Sequence, residues 1–201
     1  FSHLSASIVL SRKRASEGDV QIELLPHLRP RLAVAEAYRN LRTALLLSSA
    51  RQLKVIVVTS AVPSEGKTST AGNLAVVLAQ LGKKVLLVDG DLRKPRQHEV
   101  FHATNKVGLV SFLTHTTEAD KIVFRCDIEN LYLTPSGPIP PNPSELLSSE
   151  RMGEFLKFVR SQFDIVIIDS APTLAVTDGI LIGAQSDGVV LCLRAGYVQK
   201  R

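Results

Sequence analysis

Cysteine is nearly absent. Cys126 and Cys192 are the only two in the chain, and they form neither a CxxC pair nor a Cys/His cluster. A disulfide framework and a zinc centre are therefore excluded as organising devices, and a reducing compartment fits. Long apolar runs are missing too: none reaches the roughly 18 residues that span a bilayer, and no signal peptide opens the sequence. Aromatic residues make up only 5% of the chain, too few among the basic clusters to build stacking platforms for bases, which argues against a nucleic-acid partner.

What is present is the material of a soluble globular protein. With 201 residues, 45% apolar and 21% charged, the chain suits one sizeable domain with a true core. The formal charge of +5 is concentrated early. Arg12, Lys13 and Arg14 form a basic run, and Arg29, Arg31, Arg39 and Arg42 follow. A solvated surface and a membrane-facing juxtamembrane segment both fit, since anionic lipid contributes about 1 kcal/mol per nearby basic residue.

Residues 1–30 lack a sustained period and read as an irregular arm. Helical spacing begins at Leu32 and continues to about Ser48. Then the pattern changes. The runs at 54–60, 83–91, 163–172 and 187–196 are β-branched and apolar without alternation, as expected of strands covered on both faces. Helical patterns fall after residue 66 and at 107–115, 144–161 and 176–186, and NLYLTPSG (130–137) offers a further short strand. Strands alternating with helices predict an α/β fold, a mostly parallel sheet with helices on both faces. The division expected is a juxtamembrane arm or linker at 1–32 and one catalytic domain at 33–201.

The junction after the first strand carries the chemistry. Residues 61–68, AVPSEGKT, have the spacing of a phosphate-binding P-loop, with Ala61 where Gly is usual. Such a loop opening a helix makes an anion site, because the first helical N–H groups lack partners and the helix dipole is positive there. The cofactor-binding stretch is Ala61, Val62, Pro63, Ser64, Glu65, Gly66, Lys67, Thr68 and Ser69. Within it Gly66 admits close approach, Lys67 brings charge to the phosphates, and Thr68 offers a hydroxyl to Mg²⁺. Asp89 and Asp91 flank Gly90 at the end of the second strand, and Asp169 closes the third. Ligands of parallel sheets lie beyond the carboxyl ends of the strands, so all three acids fall on the edge where the loop would hold phosphates. Mg²⁺ takes one or two carboxylates and keeps most of its waters.

EAYRNLR (36–42), TSAVPSEGKTST (59–70), VLLVDGDLRKP (85–95), PSGPIPPNPSELL (135–147) and FDIVIIDSAP (163–172) occur in the order that resembles the cytoplasmic domain of the bacterial tyrosine kinases of capsule and exopolysaccharide export. The resemblance runs from about Ala33 to Gly196 and implies a P-loop NTPase fold of MinD/ParA-like architecture. It implies an ATP- and Mg²⁺-dependent protein-tyrosine autokinase at the cytoplasmic face of the inner membrane, this fragment itself being soluble. Lys67 would bind phosphates, and Thr68, Asp91 and Asp169 would hold the metal. Asp89 would face the tyrosine hydroxyl. Arg93, Lys94 and Arg96 have two readings, contact to phosphate or a neighbouring subunit and a solvated basic loop. Glu36, Arg39 and Arg42 share one helical stripe, and the resemblance gives that stripe to a ring-like homo-oligomer, beside plain intrahelical pairing. Further partners implied are protein tyrosine substrates and a membrane-embedded polysaccharide co-polymerase or activator, fused or separate.

Two departures stand out. The tyrosine-rich tail of the family is missing, since Tyr38, Tyr132 and Tyr197 are the only tyrosines. The strand and base-contacting segment expected after residue 196 are missing as well, and both features suggest a C-terminally truncated fragment. Two other classes compete. A ParA- or MinD-type ATPase would share the fold, but it usually carries an extra Lys at the second loop position, where Val62 stands. A degenerate nucleotide-binding module regulating polysaccharide chain length would not need Lys67, Thr68, Asp89, Asp91 and Asp169 intact.

Overall fold

The computed structural model describes residues 22–48 and 53–195. The basic run at 12–14, Tyr197 and the region after residue 196 lie outside the described residues. The chain opens with a 3₁₀ turn, Ile22–Leu24, and a short helix α1, Leu25–Leu28, followed by α2, Ala33–Leu47. β1 (Val55–Ser60) then leads into α3 (Lys67–Ala79), and β2 (Val85–Asp89) into α4 (Gln97–Val100) and α5 (Leu109–Leu113). A 3₁₀ turn at Ala119–Ile122 precedes β3 (Phe124–Arg125) and β4 (Leu131–Thr134). Last come α6 (Pro143–Leu147), α7 (Glu150–Gln162), β5 (Ile165–Asp169), α8 (Asp178–Gly183) and β6 (Gly188–Cys192).

The six strands form one sheet in the order β3-β4-β2-β5-β1-β6. Every pairing is parallel except that of β3 with β4. Alternate residues of the central strands face opposite sides. Val55, Val57, Leu86, Val88, Val166 and Ile168 pack with α5, α7 and Ile182, while Ile56, Val58, Val85, Leu87, Ile165 and Ile167 pack with α3 and Tyr38 of α2. That two-sided burial is why these strands read as unbroken apolar runs.

Several sequence expectations needed adjustment. The helix expected over 144–161 is two helices. Ser149 ends the first segment's reach and caps the second, its hydroxyl accepting from the Met152 amide, an N-cap preference that overrides helical period. The strand at 187–196 was expected to be buried, yet β6 is the outer strand. Val190 and Cys192 pack on the core, whereas Val189 and Leu191 are about half exposed (54% and 52%), because no described helix covers that side. The arm expected through residue 30 is helical where described: Leu24 and Leu25 are buried, and the segment packs on α3. Together with α2 it covers the outer side of α3, which is why α3 is buried from Thr70 to Ala79 on all sides.

Candidate nucleotide and metal site

The loop from Ala61 to Gly66 leaves the carboxyl end of β1 and turns directly into α3. Gly66 has φ 88°, the left-handed region that favours glycine, and Ser64 has φ 67°. A Cβ on Gly66 would meet nothing within 4 Å, so its requirement is backbone conformation rather than space. α3 begins at Lys67 without a side-chain cap, leaving its first amides as an anion-binding end. The loop is braced from three directions. Glu65 accepts from the Val62 amide (2.9 Å) and the Arg194 amide (3.1 Å) through its two carboxylate oxygens. Ser60 Oγ donates to the Val62 carbonyl at 2.8 Å. From the segment after β5, the Thr173 and Leu174 amides donate to the Ser60 and Ala61 carbonyls. Glu65 thus stiffens the loop from within.

Strand order places the acids. β5 lies between β1 and β2, and in register Asp89 sits directly beside Asp169 at the carboxyl edge. Gly90 permits that closeness, for a Cβ there would come within 2.9 Å of the Asp169 carbonyl. Lys67 reaches into the group, its ammonium donating to Asp91 Oδ2 at 2.8 Å and standing 3.6 Å from Asp169 Oδ1. Asp89 and Asp169 are 0% and 1% exposed. Their oxygens are used unequally. Asp89 Oδ2 accepts from the amides of Arg96 and Gln97, and Asp169 Oδ2 accepts from Gln97 Nε2 at 3.0 Å. Asp91 Oδ1 accepts from the amides of Arg93 and Lys94.

Three carboxylates surround one ammonium, and the protonation equilibria show it. Burial pushes the Asp89 carboxyl well above the usual carboxylate range, and the Asp169 charge pushes the same way. Burial also raises Asp169, outweighing Lys67, Thr68 and Gln97, which favour its ionised form. Burial alone would lower Lys67, but the charges of Asp169 and Asp91 outweigh it and raise its pKa. Acids and base move up together because negative charge is in excess. Consistent with that excess, Asp89 Oδ1, Asp169 Oδ1 and Gln97 Oε1 are buried with no hydrogen-bond partner. Buried acceptors left unpaired are costly, and these suit a cation with its waters. Among the described residues no three His, Cys, Asp or Glu side chains form a group that could hold a metal ion by themselves; Mg²⁺ needs only one or two carboxylates beside phosphate oxygens and waters, which Thr68, Asp91 and Asp169 could supply.

Two features were not anticipated. Gln97 is fully buried and joins Asp169 to the Thr68 carbonyl (3.1 Å). Asp178 at the start of α8 is also fully buried, accepting from Arg93 Nε at 2.8 Å and from Ser144 Oγ at 2.6 Å. Arg93 is exposed, and its guanidinium is held by Asp178. Burial would raise the Asp178 carboxyl, but Arg93 and Ser144 outweigh it and hold it below the usual range. A lone polar residue between unlike elements gave no periodic signal for either.

The stripe on α2 is in place, but each member has an internal partner. Glu36 pairs with Arg39 at 2.6 Å, and Arg39 also donates to the Pro30 carbonyl. Arg42 donates to the Val77 carbonyl near the end of α3 at 2.8 Å, while its Nε is buried without a partner.

Comparison with known proteins agrees with this geometry. The AAA domain family matches residues 53–199. "Tyrosine-protein kinase YwqD" of Bacillus subtilis is 43% identical over 96% of this chain and 81% of its own length. "Tyrosine-protein kinase wzc" of Salmonella typhimurium is 40% identical over 87% of this chain, which spans only 24% of that relative. The solved kinase domain of the Escherichia coli tyrosine kinase ETK superposes with a TM-score of 0.84 at 34% identity, over 88% of this chain and 69% of that one. The chain belongs to the bacterial tyrosine-protein kinase family, built on a P-loop AAA domain.

Proposed function

We propose that the chain transfers the γ-phosphoryl group of ATP to protein tyrosine in an Mg²⁺-dependent reaction serving capsule or exopolysaccharide production. The observation that carries this reading is the buried cluster in which Lys67 stands between Asp91 and Asp169 at the mouth of the loop. The relatives' names, tyrosine-protein kinases, favour transfer to tyrosine over simple hydrolysis.

When bound, Mg·ATP supplies the transferable group, and its metal neutralises charge on the phosphate oxygens. The residues of the chain do the rest. The loop amides of 64–66 and the open start of α3 would hold the phosphates, and Lys67 would exchange Asp91 for them. Thr68, Asp91 and Asp169 would hold the ion. Asp89 orients the tyrosine hydroxyl and accepts its proton late, since a phenol with a pKa of about 10 is far less acidic than a carboxylic acid. Positioning and electrostatics carry most of the barrier lowering in such reactions.

The same reading includes autophosphorylation between subunits of a ring assembled through Glu36, Arg39 and Arg42. Those side chains would exchange their internal partners for a neighbour's. It also includes action at the cytoplasmic face of the inner membrane beside a co-polymerase, fused or separate. Among the described residues no helix is long and apolar enough to cross a membrane. Mass spectrometry of protein incubated with Mg·ATP should find phosphotyrosine in the wild type and none in Lys67→Met. Labelling that persists in the folded variant overturns the assignment of Lys67.

A further inference from the structure

Gln97 occupies a position that neither the loop motif nor the acid pattern defines. It opens the short helix α4 just after the segment that carries Asp91, and it is fully buried. Its backbone amide donates to Asp89 Oδ2 at 2.9 Å, and its side-chain Nε2 donates to Asp169 Oδ2 at 3.0 Å and to the Thr68 carbonyl at 3.1 Å. Both neighbours of Nε2 are acceptors, so the donor end of the amide must face them, which fixes its orientation. One residue therefore binds an oxygen of each strand-end acid and the backbone of the P-loop helix. The oxygens it leaves are Asp89 Oδ1 and Asp169 Oδ1, both buried without a hydrogen bond, the second standing 3.6 Å from the Lys67 ammonium.

We infer that Gln97 is a positioning residue for the phosphoryl-transfer site, clamping Asp169 against Thr68 and steadying Asp89, so that one oxygen of Asp169 is kept for the metal ion and its waters and one oxygen of Asp89 for the group that accepts the phosphoryl. This rests on the nucleotide-binding reading above, though not on tyrosine as the acceptor. An Asp169 carboxylate free to rotate would lose the direction in which Oδ1 faces Lys67 and the mouth of the loop. Gln97 occupies the other oxygen of Asp169 and removes that freedom. A Glu at 97 keeps the size but replaces the donor with a charge facing Asp169, and a Leu removes hydrogen bonding altogether.

The test measures mant-ADP affinity in excess Mg²⁺ and again in EDTA for the wild type, Gln97→Leu and Gln97→Glu. Phosphate binding by loop amides should survive without Gln97, so affinity in EDTA should stay within about twofold of wild type. The gain in affinity on adding Mg²⁺ should fall at least about fivefold in both variants. A variant that melts cooperatively and keeps the wild-type gain overturns the inference, as does equal weakening in both conditions, which a merely structural role would give. A second measurement needs no variant: the Gln97 side-chain amide resonances should shift on addition of Mg·ADP and stay in place with ADP in EDTA. Identical shifts in both conditions count against the clamp. A wild type with no Mg²⁺ gain overturns both this inference and the nucleotide-site reading. A clear Mg²⁺ gain without any phosphotyrosine removes the kinase reading and leaves the role of Gln97 standing.

Discussion

The two ends of the sheet use the same residue type in opposite ways. At the amino edge, Asp187 precedes β6 and is fully partnered. Its Oδ2 accepts from the amides of Lys54 (2.9 Å) and Val55 (2.7 Å), and Arg160 binds both oxygens at 2.8 and 2.9 Å. Asp164 likewise accepts from the Lys84 amide. At the carboxyl edge, Asp89 and Asp169 are more deeply buried, yet each keeps an oxygen without a hydrogen bond. Burial of a carboxylate is tolerated where hydrogen bonds compensate it. Where they do not, the open acceptors suit a ligand. The amino edge holds strands together, and the carboxyl edge is the one we propose for a cation and phosphates.

That contrast can be broken by substitution, and the largest effect belongs to Lys67. Lys67→Met should lower tyrosine phosphorylation by at least about a hundredfold, the scale of losing one charge-stabilising group, with a cooperative melting transition retained. Next comes Arg93→Ala, which strands the buried Asp178 carboxylate with Ser144 alone. Denaturant unfolding should show a loss of about 1–3 kcal/mol, the scale of a buried acceptor losing its partner. Adding Asp178→Asn should recover part of it, since the uncompensated charge is then gone.

A smaller and more telling effect comes from treating the two edges alike. Asp187→Asn should destabilise the protein by about 1–2 kcal/mol, because charge-assisted bonds to Arg160 and two amides are weakened. Asp89→Asn should stabilise the ligand-free protein by about 1 kcal/mol while abolishing activity, since it relieves like-charge crowding beside Asp169. Equal signs in the two variants would erase the distinction between the edges.

The smallest effect is in the acid limb of the stability curve. Burial would raise the Asp187 carboxyl, but Arg160 and the amides of Val55 and Lys54 outweigh it and depress it below the usual value. A depressed carboxyl contributes stability above its unfolded pKa of about 3.9 and loses it as pH falls through the folded value. Stability measured from pH 5 downward should therefore fall less steeply in Asp187→Asn than in the wild type. An unchanged slope would mean that Asp187 carries no such linkage.

Much of this was legible in the sequence because it is local. Apolar runs gave β1, β2 and β5, and the spacing from Ala61 to Thr68 gave the loop between β1 and α3. The unforeseen parts are relations between distant segments. Nothing in a linear pattern places β5 between β1 and β2, yet that order sets Asp89 beside Asp169. Gln97 and Asp178 are single polar residues whose meaning arises only when other elements close over them. The exposed side of β6 could not be told from burial by composition, because its residues are as apolar as those of the central strands.

The most direct test of the central claim is calorimetric titration of the wild-type chain with ADP, once in excess Mg²⁺ and once in EDTA. Binding at least tenfold tighter with Mg²⁺, about 1.4 kcal/mol or more, is the expected result. Affinity indifferent to the metal, or no heat of binding in either condition, would contradict a metal–nucleotide site at the carboxyl edge.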